Sequence, residues 1–188
     1  MILYINACVR KESRTEHLAK HLLARLGNDA REIRLIDAQF PKVDDSFLAE
    51  RDRLLKNKEY NAPMFEYARD FASADSIVIA APFWDLSFPA ILKQYFEQIN
   101  VTGITFQYTS EGIPQGLCKA KKLYYVTTAG GTIFSAEYGY GYVKALANSF
   151  YGIQNTELIK AEGLDIYGAN VAEILKKAEA QIDALVGK

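Results

Sequence analysis

Near the start of the chain, Cys8-Val9-Arg10-Lys11-Glu12-Ser13-Arg14-Thr15 brings hydroxyls and guanidinium groups close together. Two readings suit this run. Ser13 with Glu16 fits the S-x-x-E pattern that caps a helix start. The same turn also suits a phosphate monoester. Free N–H groups and the positive end of a helix dipole would face it, with hydroxyls from Ser13 and Thr15 and paired donors from Arg10 and Arg14. The chain lacks the triphosphate loop G-x-x-x-x-G-K-S/T and the dinucleotide fingerprint G-x-G-x-x-G, which leaves a terminal monophosphate.

A second group lies within "AAPFWDLSFP", where Pro82, Phe83, Trp84, Asp85 and Leu86 set two aromatics and an acid before a second proline. It suits a buried aromatic corner, a protein interface or the surroundings of a flat ring. A third group, Thr128-Ala129-Gly130-Gly131, suits a tight turn or a close approach of backbone to a ligand. No nucleophile–base pair is evident. His17 and His21 lie one helical turn apart and read as a surface pair, and a zinc site would need further ligands. Cys8 and Cys118 form no CxxC spacing, and Cys8 reads as a small buried residue.

These groups need elements to hold them. "ILYINA" is a short apolar run of the kind found in a buried parallel strand. Leu18, Ala19, Leu22, Leu23 and Leu26 follow at helical spacing, and Gly27 ends that helix. "REIRLID" alternates as a second strand, and Asp37 at its end reads as a turn or cap residue. The segment 38–60 is charged and irregular, a long connection with helical pieces. "APMFEYARDFASA" reads as helix and "DSIVIAAP" as the strongest strand. Residues 89–99 read as a helix that Pro89 opens. Residues 103–117 form a hairpin or excursion, "KKLYYVTTAGG" another strand, 141–151 a helix, "TELIKAEGLD" a last strand and 170–186 a closing helix.

Strands alternating with helices imply right-handed βαβ units and a parallel sheet covered on both faces. Ligands of such sheets sit outside the carboxyl ends of the strands. The informative residues should therefore follow Ala7, Ala81 and Thr128. The chain of 188 residues reads as a single domain, 1–188. A net charge of −1 offers no footprint for nucleic acid or an anionic membrane. No apolar run approaches the roughly 20 residues of a membrane span, and the first residues are the reverse of a signal peptide. A cytoplasmic, reducing setting follows as the expectation.

In this order, the three loops resemble those of the flavodoxin-like NAD(P)H-dependent FMN oxidoreductases, which include FMN-dependent NADH-azoreductases and NAD(P)H:quinone reductases. "CVRKESRT" is similar to their phosphate loop S-x-R-x-x-S-x-T, with Cys8 in place of a serine. "APFWDLSFP" is similar to A-P-M-Y-N-F-x-x-P, with Asp85 in place of an asparagine. "TTAGG" is similar to T-S-x-G-G, with Ala129 in place of a larger residue. "GITFQYTSEGIPQGLCKAKK" is similar to the excursion of that family. The resemblance spans nearly the whole chain. It implies a five-stranded flavodoxin-like sheet of order 2-1-3-4-5 and an FMN site built from Arg10, Ser13, Arg14, Thr15, Pro82, Phe83, Trp84, Asp85, Leu86, Thr128, Ala129, Gly130 and Gly131. Phe83 and Trp84 would pack on the ring, and backbone from Trp84 to Leu86 would serve its polar edge. Phe106 and Tyr138 are candidates for the substrate pocket, although Phe106 equally suits a hairpin core. A homodimer is implied as well.

The function expected is ping-pong transfer of reducing equivalents from NADH or NADPH through FMN to a quinone or azo acceptor. An electron carrier of the same fold is the rival, although such carriers tend to be strongly acidic. A flavin-free binding protein on the fold is a third reading.

Overall fold

The computed structural model describes residues 1–27 and 29–187. Five strands form the main sheet: β1 (Ile2–Asn6), β2 (Ala30–Arg34), β3 (Ser76–Ala80), β6 (Lys122–Thr128) and β7 (Asn155–Ala161). Their spatial order is β2-β1-β3-β6-β7 and every pairing is parallel. Counting only these five, the order is the expected 2-1-3-4-5. Helices α1 (Arg14–Leu26) and α6 (Val171–Val186) cover one face. Helices α3 (Glu66–Ser73), α4 (Ala90–Ile99) and α5 (Tyr142–Leu146) cover the other.

Strand periodicity builds the two faces. Ile77, Ile79, Leu123 and Tyr125 point with Leu3 and Ile5 into the core beneath α3 and α4. Tyr4, Val78, Ala80, Tyr124 and Val126 point the other way, against Leu18 and Leu22 of α1 and Ile182 of α6. Both sides are buried, so these strands read as continuous apolar runs. His17 and His21 act as struts between the outer helices. Their Nε2 atoms lie 2.7 Å from Glu179 and 2.8 Å from Asp183.

Helix α1 starts as its sequence requires. The Ser13 hydroxyl accepts from the Glu16 N–H at 3.2 Å, and Gly27 closes the helix in the left-handed region. The reciprocal half of the expected capping box does not form. The Glu16 carboxylate turns to Lys20 at 2.7 Å and Arg34 at 3.9 Å, because two cations lie within its reach.

Two segments are more regular than their sequence suggests. The long connection contains a full helix, α2 (Asp45–Lys56), capped by Asp44. Only Phe47 and Leu54 of that helix are buried, and two apolar contacts make a weak periodic signal. The helical stretch expected over 141–151 begins earlier, at Glu137. Wide π-type turns at Glu137–Gly141 and Ala147–Tyr151 flank α5.

The excursion is a hairpin of β4 (Phe106–Tyr108) and β5 (Pro114–Gly116). It lies so close to the chain after α5 that a Cβ on Gly116 would overlap the backbone of Tyr151 and Gly152. Among the described residues, no helix is long and apolar enough to cross a membrane.

Candidate functional site

The carboxyl ends of four strands meet at one edge of the sheet. Backbone bonds continue the sheet past the strands themselves. The Ala7 N–H donates to Ala80 O at 2.8 Å, Ala81 to Val126 O at 3.0 Å, Phe83 to Thr128 O at 3.0 Å and Ala129 to Ala161 O at 2.9 Å. The loops that leave these ends enclose a cleft of about 330 Å³, within the range of small-molecule sites.

One end of the cleft is the start of α1. Arg10, Ser13, Arg14 and Thr15 line it. The cap uses the Glu16 N–H and leaves those of Arg14 and Thr15 at the open turn. Thr15 is buried, and its hydroxyl lies 2.7 Å from that of Thr128, so the two bolt α1 to β6. Arg14 Nη1 donates to Asp165 Oδ1 at 2.7 Å. Cys8 does not line the cleft. It is fully buried, its Sγ lies 3.8 Å from Ala80 O, and burial pushes its thiol up to about 11.

The other end is aromatic. Pro82, Phe83 and Trp84 line it, as do Thr128, Ala129 and Gly130, with the Phe83 N–H bonded to Thr128 O. Trp84 is 40% exposed. Asp85 and Leu86 form a two-residue turn with φ of 49° and 67°. The Trp84 N–H donates to Ser87 O at 3.1 Å and the Ser87 N–H to Trp84 O at 2.7 Å. Two successive positive φ angles define a type I′ turn, which favours asparagine and glycine. Asp85 suits the first position, whereas an alkyl side chain such as Leu86 is costly at the second. The Ser87 hydroxyl donates to Tyr138 O at 2.7 Å and so ties this turn to the next loop.

The remaining expected residues fall outside the cleft lining. Asp85 and Leu86 are exposed at the tip of their turn. Of the backbone from Trp84 to Leu86 expected at a ring edge, the Trp84 N–H donates to Ser87 O. Gly131 stands beside the cleft, its carbonyl accepting from the Gly163 N–H at 2.9 Å. Tyr138 is 58% exposed on the rim. Phe106 is 5% exposed and packs as a hairpin core residue, its ring centroid 4.7 Å from that of Phe150. Its large apolar ring is better covered there than at an open mouth.

Sequence reasoning missed Val9, Glu12, Leu164 and Asp165, all of which line the cleft. The signal for the last two was present. They follow the last strand at its carboxyl end, the same rule that picked out the other three loops. Gly130 also has a different neighbour from the one expected. Its φ is not positive, yet a Cβ there would overlap the Asp165 Oδ2.

A parallel five-stranded sheet of this order, with helices on both faces and a cleft at the carboxyl ends of its strands, defines a doubly wound α/β protein. Residues 1–186 match the family model described as "Flavodoxin-like fold", and the chain belongs to that family. It is 37% identical to an FMN-dependent NADH:quinone oxidoreductase of Lachnoclostridium phytofermentans, over 95% of this chain and 93% of that one. It is 38% identical to a protein of the same name from Clostridium beijerinckii, over 94% and 93% of the two chains. Among solved structures, an FMN-dependent NADH-azoreductase from Bacillus anthracis in complex with FMN superposes with a TM-score of 0.82. The identity is 25%, and the match covers 99% of this chain and 97% of that one.

Proposed function

We propose that this protein is an FMN-dependent NADH oxidoreductase that reduces quinones or azo compounds. The observation that carries the reading is the pairing of ends within one cleft. The helix start with Arg10, Ser13 and Arg14 lines the same cleft as Phe83 and Trp84. FMN has the matching ends, a phosphate and a flat ring, and the polyol between them needs a polar passage.

The residues fit that group. The turn at α1 presents N–H groups and two guanidinium side chains to a phosphate. Gly130 and Asp165, whose carboxylate lies over that glycine, line the same cleft. Phe83 and Trp84 supply apolar faces, and the turn after them leaves the Asp85 and Leu86 N–H groups unspent by its own closing bonds. Those two groups are the backbone donors we assign to the polar edge of the ring. Bound there, FMN would supply the two-electron redox chemistry between NADH and the acceptor. The chain's own part is to hold the phosphate, pack the ring and place donors where charge develops.

We further propose that the acceptor pocket is completed by a second copy of the chain. The loops at this edge leave Trp84, Leu86, Phe134, Tyr138, Ile166 and Tyr167 exposed, a density of large apolar side chains that favours cover. Free Cys8 and Cys118 suit a reducing cytoplasm.

The test is a titration of flavin-stripped protein with FMN, followed by turnover with NADH and a small quinone. Saturable quenching of Trp84, the only tryptophan, with steady NADH consumption is the expected result. Binding without turnover, unless a protein partner is added, would replace this reading with an electron carrier. No binding in folded protein would remove it.

A further inference from the structure

Asp165 touches both the start of α1 and the loop after β6. Its Oδ1 accepts from Arg14 Nη1 at 2.7 Å, at the helix start. Its Oδ2 lies over Gly130, where a Cβ would overlap it. The backbone holds this side chain in place. The Asp165 N–H donates to Gly130 O at 2.8 Å, and the Leu164 N–H donates to Ala129 O at 3.2 Å. Gly130 does not take a positive φ, so what its bare Cα provides is room for this carboxylate.

Stability does not account for that room. The Arg14 and Asp165 side chains are 42% and 66% exposed, and ion pairs of that kind contribute little. The geometry instead leaves one carboxylate oxygen committed. Oδ1 is on Arg14, while Oδ2 accepts no hydrogen bond among the described residues. An ionised carboxylate only accepts, so Oδ2 calls for a ligand donor. Arg14 keeps its remaining N–H groups for a phosphate.

We infer that Asp165 is a specificity-determining residue that reads the hydroxyls of the flavin's ribityl chain, with Oδ1 on Arg14 and Oδ2 on the ligand. The inference rests on the FMN reading, because the segment between a phosphate at α1 and a ring at Trp84 is then a polyol. Neither loss of charge nor loss of phosphate alone reproduces its signature. Three probes separate the contributions: FMN, riboflavin without the phosphate, and lumiflavin without phosphate or polyol.

The experiment titrates each probe into flavin-stripped wild type, Asp165→Ala and Asp165→Asn, reading flavin fluorescence, with melting curves to establish that the variants fold. Asp165→Ala is expected to weaken FMN and riboflavin alike, by roughly five- to tenfold, the effect of one charge-assisted hydrogen bond at a half-open site. Lumiflavin should change by less than about twofold on the same grounds, having no hydroxyl to offer. Asp165→Asn, which keeps an acceptor oxygen, should recover part of the loss. Weakening of FMN alone would mean that Asp165 only orients Arg14, and would overturn the inference. Tightening of FMN with riboflavin unchanged would make it a mere counter-charge, with the same consequence. An equal loss for all three probes, or none, would also overturn it. If wild type bound none of the probes, the flavin reading would fall and this inference with it. Normal wild-type binding with an indifferent Asp165→Ala would remove Asp165 alone.

Discussion

The pair of hydroxyls at the floor of the cleft gives the sharpest quantitative prediction. Thr15 is 1% exposed and Thr128 is 8% exposed, and their oxygens are 2.7 Å apart. Thr15→Val keeps the shape of the side chain and removes its polar atom. The Thr128 hydroxyl is then left buried without that partner, a loss of about 1–3 kcal/mol. Thr128→Val should cost a similar amount for the same reason. In the double variant both polar atoms are gone and the shape remains, so little is added to either single loss. The cycle should therefore return a coupling energy of about 1–3 kcal/mol, the size of one single loss. In a chain of this length each kcal/mol moves Tm by about 2–4 °C. Urea unfolding of flavin-stripped protein, followed by far-UV circular dichroism, measures all three variants. Losses that add to within about 0.5 kcal/mol would refute the reasoning. So would single variants that leave the flavin-stripped protein unchanged and weaken FMN binding only, since the hydroxyls would then serve the ligand and not each other.

Three further predictions concern the frame around the site. Gly116→Ala should destabilise the protein by about 1–3 kcal/mol, because its Cβ meets backbone and not a flexible side chain; a melting curve matching wild type would mean the hairpin is not seated as described. Burial holds the Cys8 thiol at about 11 and that of Cys118 at about 12. Neither should react with iodoacetamide at pH 8 in folded protein, and both should react in urea, which mass spectrometry reads directly. Hydrogen bonds and charge from Lys119, and then from the Met1 ammonium, hold the Asp75 carboxyl down to about 2. A depressed carboxylate stabilises the fold above its unfolded value and loses that contribution as pH falls toward the folded one. Tm of wild type should therefore drop between about pH 4 and pH 2, more steeply than that of Asp75→Asn, and parallel acid limbs would exclude the pairing.

Much of this was legible in the chain because burial leaves a mark on it. Strands β1, β3 and β6 are covered on both faces, so they appear as unbroken apolar runs, and the helices between them dictate parallel pairing. The start of α1 announced itself through Ser13, and the cleft's aromatic wall through two residues that a plain connector would not carry. Helix α2 was obscured because only two of its side chains are buried. The extra turn at Glu137 was obscured by Tyr-Gly-Tyr-Gly, whose poor helix propensity hides a turn held by tertiary contacts. Phe106 was ambiguous for a different reason. A phenylalanine in a hairpin fits a core or a pocket equally well, and only its packing on Phe150 decides.

The turn at Asp85 and Leu86 was beyond sequence reasoning in another sense, since the residues argue against the conformation they adopt. An alkyl side chain in the left-handed region costs about 1–2 kcal/mol. The surrounding structure overrides that preference from both sides. The Phe83 N–H is fixed to Thr128 O, and the Ser87 hydroxyl is fixed to Tyr138 O. With both ends pinned, two residues must reverse the chain, and a type I′ turn is the short path that does so. The closing bonds occupy the N–H groups of Trp84 and Ser87, and the pair in between stands exposed at the tip of the turn with its own N–H groups unspent. Under the FMN reading proposed above, strain at this position is the cost of presenting backbone donors in a fixed place beside Trp84, a task for which the chemistry of the side chains at 85 and 86 matters less than their backbone angles.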